Sequence, residues 1–254
     1  MKVVPAIDIQ QGQVVRAVAG ERLAYLPLQS VLDPSSDPGA IGRALCEQYN
    51  LTTAYLADLD AIAGAEPQWD LYRNLLDCGL SLWIDAGIAT SERCEAMMRF
   101  GDSHAAVTGI IAGMESIDDR RLLQEFQQIV HSDLLIFSLD LKDGRPLTQE
   151  PSWKRQIALE IASEVARNGL RRMIVIDLAR VGMHGGSGTK KLCTTLHEEF
   201  PDLALYAGGG VRHVDDLRTL AGWGCSAALV SSAIHDGWLE QKDLKAIGEN
   251  ETDG

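Results

Sequence analysis

The chain alternates eight times between a short apolar segment rich in β-branched residues and a longer segment whose apolar residues recur with helical spacing. This alternation is typical of βα units on a parallel sheet. Eight such units predict an α/β fold made of a single (β/α)8 barrel, or TIM barrel. The predicted strands are residues 3–7, 53–56, 80–84, 105–107, 134–139, 173–176, 203–206 and 227–230.

The two halves of the chain repeat the same order of features. The strand-end residue Asp8 has its counterpart in Asp140, and the glycine-containing segment 85–88 has its counterpart in segment 208–211. We therefore predict a barrel built from two duplicated half-barrels. Residues 13–18, which alternate in polarity, predict an excursion hairpin within the long first loop.

Length and composition fit one large core. The 254 residues are 46% hydrophobic, which suits a single barrel domain at 1–248 followed by a flexible acidic tail at 249–254. No run reaches the roughly eighteen apolar residues of a membrane helix. A chain that begins directly in a strand-like run is expected to be cytoplasmic. The net charge of −13 argues against nucleic acid and anionic membranes as partners.

A phosphate site is expected at the carboxyl ends of strands seven and eight. Active sites of such barrels lie at this end of the sheet, and the loops after the last two strands frequently bind phosphate. Glycine lets backbone N–H groups approach an anion closely, and a helix start adds the positive end of its dipole. The predicted phosphate ligands are Gly208, Gly209, Gly210, Ser231 and Ser232.

Aspartates end several of the other predicted strands. Asp8 and Asp140, which the repeat puts across one barrel mouth, are predicted to act as a general acid/base pair on a phosphorylated small molecule. The alternative is that each caps a loop or pairs with a basic side chain. Asp58 and Asp177 are predicted to bind a substrate hydroxyl or to orient their own loops. Metal is not expected, because no histidine accompanies these acids at ligand spacing, and His184 is expected to be a loop residue.

The ordered motifs resemble the HisA/HisF family over essentially the whole chain. This family includes the phosphoribosylformimino-aminoimidazole carboxamide ribotide isomerase of histidine biosynthesis and a related cyclase, and its members are duplicated half-barrels with two phosphate sites. The similar segments are VPAIDI at 4–9, VVR at 14–16, YLADLD at 55–60, SLD at 138–140 and AGGGV at 207–211.

The resemblance implies an isomerase that opens an aminoaldose ring and carries out an Amadori-type, aldose–ketose rearrangement without metal or cofactor. It assigns the two catalytic roles to Asp8 and Asp140. We predict that Arg16, in the same opening motif, contacts the substrate together with Asp58 and Asp177.

The chain also departs from the family pattern. Asp85-Ala86-Gly87 replaces a triple-glycine turn after strand three, and a carboxylate there would repel phosphate. Thr108-Gly109 follows predicted strand four in place of the family's Gly-Thr/Ser-Ala, and Ile176 stands where the isomerase has a threonine. Gly87 and Gly109 are therefore expected to form only a weaker second phosphate site, and the substrate is expected to carry one phosphate.

Other functions stay open at this level. The chain fits a histidine-pathway isomerase in the strict sense, or a relative of HisA/HisF proteins associated with one-carbon, methanopterin-type metabolism. A HisF-like cyclase would need a glutaminase partner at the other end of the barrel, and such a partner is not expected. A protein that binds a phosphorylated metabolite without catalysis is the remaining alternative.

Overall fold

The computed structural model describes residues 1–182 and 188–249. The predicted TIM barrel is confirmed, because eight parallel strands form one sheet that closes by pairing of the last strand with the first. Predictions for His184 and for residues 250–254 lie outside the described residues. The strands are β1 Lys2–Gln10, β2 Thr53–Asp58, β3 Ser81–Asp85, β4 Val107–Gly113, β5 Leu135–Lys142, β6 Arg172–Asp177, β7 Ala204–Gly208 and β8 Cys225–Val230.

Helices follow the strands and cover the outside of the barrel. Asp37 caps the first of them by accepting a hydrogen bond of 2.7 Å from Ala40 N–H, which satisfies one of the free donors of the first turn. None of the helices in the described part of the chain is long and apolar enough to span a bilayer. The main helices are α1 Pro38–Tyr49, α2 Trp69–Asp77, α3 Ser91–Ser103, α4 Arg121–Ile129, α5 Ala158–Arg167, α6 Lys190–Glu199, α7 Val214–Gly222 and α8 Gln241–Glu249.

The long first loop folds back over the barrel mouth. Its strand Gln13–Arg16 pairs antiparallel with β1, and a second short strand, Leu26–Pro27, pairs with Gln13–Arg16. The predicted excursion hairpin is thus confirmed. A short 3-10 helix, Arg22–Ala24, lies between these two strands.

Side chains alternate between the two faces of each barrel strand, as the period of a strand requires. On β1, Val4 and Asp8 face the interior, whereas Ile7 packs against the helices. The interior is closed below the site by Trp83 and Tyr206, whose rings stack with centroids 4.6 Å apart. We call this stacked pair the barrel floor.

The predicted end of strand four is wrong. β4 extends to Gly113 instead of ending before Thr108, because Ile110-Ile111-Ala112 continues the apolar strand. Gly109 pairs with Trp83 in the register of β3 and β4. A Cβ atom at Gly109 would lie 2.8 Å from Cδ1 of Trp83, so this glycine provides space for the barrel floor. Gly109 therefore lies too deep in the barrel to bind phosphate in a strand-end loop.

Candidate functional site

A cavity of about 540 Å³ lies at the carboxyl ends of the barrel strands, where active sites of this fold are found. It combines carboxylates from the first half of the barrel and from β5 with the glycine turn after β7. The predicted site residues that line it are Asp8, Asp140, Arg16, Gly209, Gly210, Ser231 and Ser232.

Asp8 and Asp140 both reach this cavity from the interior faces of their strands. Burial raises the pKa of Asp8 to about 6, while the nearby Arg22 guanidinium acts in the opposite direction. Burial, followed by the charge of Glu115, raises the pKa of Asp140 well above its usual range. The Ser138 hydroxyl donates a hydrogen bond of 2.7 Å to Asp140 Oδ1. Burial thus raises the pKa of both acids above the usual range of an aspartate, as is common for groups that act in general acid/base catalysis.

Asp85 is a third acid of the cavity. Its side chain is 5% exposed, and it accepts hydrogen bonds of 3.1 Å from the Tyr55 hydroxyl and 3.1 Å from Gly87 N–H. Burial, reinforced by the Glu115 carboxylate, raises its pKa to about 7. The sequence marked Asp85 only as a departure from a glycine turn and did not indicate that it belongs to the acid cluster.

Glu115 and Arg22 complete the acidic side of the cavity. They form an ion pair with each other, and both line the cavity. Glu115 lies two residues after β4, a strand-end position like those of the predicted acids. Because the predicted strand four ends before Thr108, the sequence does not indicate Glu115 as a site residue. Arg22 comes from the 3-10 helix of the first loop, and nothing in the local sequence indicates that it reaches the barrel mouth.

Arg16 is also neutralised by a carboxylate. Its Nη1 donates a hydrogen bond of 3.0 Å to Asp236 Oδ2, and its Nη2 pairs with Oδ1 of the same residue. This bidentate ion pair fixes the plane of the Arg16 guanidinium. Among the described residues that line the cavity, Arg16 and Arg22 are the basic side chains, and each has an acidic partner.

The turn after β7 and the loop after β8 form the polar end of the cavity opposite Asp85. Gly209 and Gly210 have φ of +87° and +75°, a left-handed conformation that glycine adopts without strain. Ser231 precedes the short helix Ser232–His235, and its side chain makes no capping hydrogen bond there. Gly208, a predicted phosphate ligand, does not line the cavity. It ends β7 and packs against Leu229.

Asp58 and Asp177 do not line the cavity, so their predicted role in substrate binding is not supported. Both lie on the outer faces of their strands, out of phase with the interior residues. Asp58 accepts hydrogen bonds from the Tyr72 hydroxyl at 2.6 Å and from the N–H groups of Ala61 and Gln68 at 3.1 Å. Asp177 accepts from the N–H groups of three residues, Asp143, Gly144 and Ala179. Their contacts match the alternative that they orient their own loops.

Comparison with known proteins matches the chain to one family. The model of a family described as "Histidine biosynthesis protein" matches residues 2–240. A 1-(5-phosphoribosyl)-5-((5-phosphoribosylamino)methylideneamino) imidazole-4-carboxamide isomerase of Halobacterium salinarum is 28% identical over 253 residues, which are 98% of this chain and 97% of that protein. The same isomerase of Rubrobacter xylanophilus is 29% identical over 96% of this chain and 95% of its own. An uncharacterized protein of Methanocaldococcus jannaschii is 28% identical over 96% of this chain and 97% of its own.

Proposed function

Since the chain belongs to the histidine biosynthesis protein family, we propose that it is an isomerase of a phosphorylated, sugar-derived metabolite in which Asp8 and Asp140 act as general base and general acid. One observation carries the proposal. The two aspartates share a cavity with the glycine turn after β7 and the serines after β8. This arrangement supports a substrate whose phosphate lies at the turn and whose sugar ring lies between the acids.

The pKa values support an assignment of the two roles. With a pKa of about 6, Asp8 is mostly ionised at neutral pH and is suited to accept a proton. Burial raises the pKa of Asp140 well above its usual range, which favours the protonated form that a general acid needs. Such a division between two carboxyl groups is how one site carries out both halves of a proton transfer near pH 7.

The proposed reaction is an Amadori-type rearrangement. Asp140 protonates the ring oxygen as the C1–O bond breaks and the amino nitrogen forms a double bond to C1. Asp8 then removes the proton from C2. Return of a proton to C1 and loss of the C2 hydroxyl proton give the open-chain aminoketose, so the product is an isomer of the substrate. The phosphate takes no part in the chemistry and serves to position the ring.

Proton exchange tests the proposal directly. The wild-type protein is incubated in D₂O with an N-substituted 5-phosphoribosylamine that carries a single phosphate, and deuterium at C1 of the product is followed by NMR. Asp8→Asn and Asp140→Asn are each expected to lower turnover by roughly 10²–10⁴-fold and to keep binding of inorganic phosphate. Full activity in either variant would refute the acid/base assignment. Phosphate binding without exchange in the wild type would favour a non-catalytic binding protein.

The histidine-pathway isomerase itself is the second candidate. The curated isomerases match this chain from end to end at 25–29% identity, which favours it. Asp85 at the turn after β3 and Ile176 in the cavity lining are the residues that oppose it. Growth of a strain lacking that isomerase, when supplied with this chain, would distinguish the two candidates.

A cyclase that receives ammonia from a glutaminase finds less support. Ammonia delivered from the opposite end would have to pass through the barrel interior. The barrel floor, which is the stacked ring pair of Trp83 and Tyr206, lies in this path. Arg172 lies over both rings and donates a hydrogen bond of 2.9 Å to the Tyr206 hydroxyl. We therefore propose that the protein works without a glutaminase partner.

A further inference from the structure

We propose that the carboxyl group of Asp85 occupies the place of a second substrate phosphate and thereby restricts this protein to substrates with a single phosphate. The inference rests on the proposed function, because it concerns the substrate of the same cavity. The Asp85 carboxyl group does more than repel a phosphate, because it accepts hydrogen bonds from the donors that a bound phosphate would use.

The contacts of Asp85 are those of a bound anion. One oxygen accepts from Gly87 N–H and the other from the Tyr55 hydroxyl, both at 3.1 Å. Gly87 has φ of +61°, and a Cβ atom on it would lie 2.6 Å from Cα of Ile62. The turn thus keeps the glycine conformation of an anion-binding loop, but its N–H group already has a carboxylate partner.

On the opposite side of the cavity, the one acid among the described lining residues, Asp236, is paired with Arg16 and does not accept from the glycine turn. The turn after β7 is Gly208-Gly209-Gly210, so no acidic side chain replaces its first residue. Gly209 and Gly210 both line the cavity. The two turns differ at two positions, Asp85 against Gly208 and Ala86 against Gly209, and the first of these differences leaves the turn after β7 available to a phosphate.

The surrounding charges also disfavour an anion near Asp85. Asp8, Asp140 and Glu115 line the same part of the cavity, and the charge of Arg22 is balanced by its ion pair with Glu115. A second phosphate would meet these acids, and among the described lining residues both basic side chains, Arg16 and Arg22, already have acidic partners. Like-charge contacts strongly suppress binding. The end of the substrate that faces Asp85 is therefore expected to carry no anionic group.

The space beyond Gly87 does not replace the lost site. A pocket of about 410 Å³ adjoins the turn and is lined by Thr90 and Arg93 among others. Thr90 Oγ1 accepts a hydrogen bond of 3.3 Å from Arg93 N–H as the cap of α3, and Arg93 Nη1 donates one of 2.8 Å to Ala65 O. Both of these side chains are thus engaged within the protein.

Counting bound phosphate tests the inference. Inorganic phosphate is titrated by calorimetry, and its positions are read from crystals soaked in phosphate. We expect one phosphate per chain for the wild type, at the turn after β7, and two for Asp85→Gly. Asp85→Asn is the matched control and should stay at one, because its amide oxygen still accepts from Gly87 N–H. Asp85→Ala is a second variant that removes the carboxylate and should also bind two.

Activity gives a second measurement. With the bisphosphorylated substrate of the histidine-pathway isomerase, Asp85→Gly should raise kcat/KM by about tenfold or more over the wild type. Two phosphates on the wild type, or one on both Asp85→Gly and Asp85→Ala in folded form, would overturn the inference. Phosphate counts do not depend on turnover. Failure of the isomerase proposal, seen as absent proton exchange, is therefore distinguishable from failure of this one.

Discussion

Asp85 Oδ2 and Asp140 Oδ2 lie 3.5 and 3.7 Å from one point, the position that a Cβ atom of Gly113 would occupy. The two aspartates belong to β3 and β5, and Gly113 ends the strand between them. The absence of a side chain at Gly113 lets the two carboxyl groups approach the same space. Burial and the charges of Glu115 and Asp85 raise the pKa of Asp140, because desolvation and like charges at short range both disfavour the ionised form of an acid.

Gly113→Ala is expected to move the acidic limb of the pH–activity profile to higher pH. The new methyl group would contact both carboxyl groups at ordinary van der Waals distance, so it would remove water from them without a steric clash. Further desolvation raises the pKa of each acid. The measurement is kcat/KM from pH 5 to 9, with the melting temperature as a control for folding. An unchanged profile in a folded variant would contradict this prediction.

The stability of the protein is expected to fall as pH rises from about 4 to about 7, because the pKa of Asp85 rises from 3.8 in the unfolded chain to about 7 in the fold. In this window the folded protein holds a proton that the unfolded chain has lost, so the free energy of unfolding decreases with pH. Asp85→Asn removes the contribution of Asp85 to this dependence, while those of Asp8 and Asp140 remain. The variant is expected to be more stable than the wild type at pH 8, by up to about 4 kcal/mol.

Urea unfolding at pH 5 and pH 8 measures this difference. The matched control is Asp70→Asn, because the Asp70 side chain is 97% exposed and should leave the pH dependence unchanged. Parallel stability profiles for the wild type and Asp85→Asn would show that Asp85 titrates normally.

Asp58→Ala is expected to affect stability and not substrate binding. The substitution leaves the Tyr72 hydroxyl and two backbone N–H groups without their buried acceptor. Hydrogen bonds to charged groups contribute about 1.5–3 kcal/mol each, so the free energy of unfolding should fall by roughly 2–5 kcal/mol. KM should stay within about threefold of the wild type, because Asp58 does not line the cavity. A large rise in KM at unchanged stability would return Asp58 to the substrate site.

Gly87→Ala and Gly79→Ala separate backbone strain from steric clash. Both glycines have positive φ, +61° and +95°, but a Cβ atom at Gly79 meets nothing within 4 Å, whereas one at Gly87 lies 2.6 Å from Cα of Ile62. Gly79→Ala should cost about 1–2 kcal/mol, and Gly87→Ala clearly more, about 3 kcal/mol or above. Chemical denaturation of the two variants measures the difference. Equal losses would mean that the chain around Ile62 adapts.

Much of the site could be predicted from the chain alone. The eightfold alternation of apolar segments predicted the barrel. The residues at the predicted strand ends indicated Asp8, Asp140 and the glycine turn at 208–210 as site residues. Gly209 and Gly210 of that turn line the cavity. These features are local, so a short stretch of sequence contains them. The origin of the barrel from two duplicated halves stays a prediction.

Only the tertiary structure decided which strand-end acids face the cavity. Barrel strands are buried on both faces, so they read as continuous apolar runs and do not reveal which residues point inward. Asp58 and Asp177 lie one position out of phase with the interior residues of their strands and therefore on the outer face. Asp85 lies on the interior face, as Asp8 and Asp140 do. Glu115 lines the cavity because β4 ends at Gly113, and Arg22 lines it because the first loop folds over the barrel mouth. Both depend on packing between distant segments, which no local pattern in the sequence records.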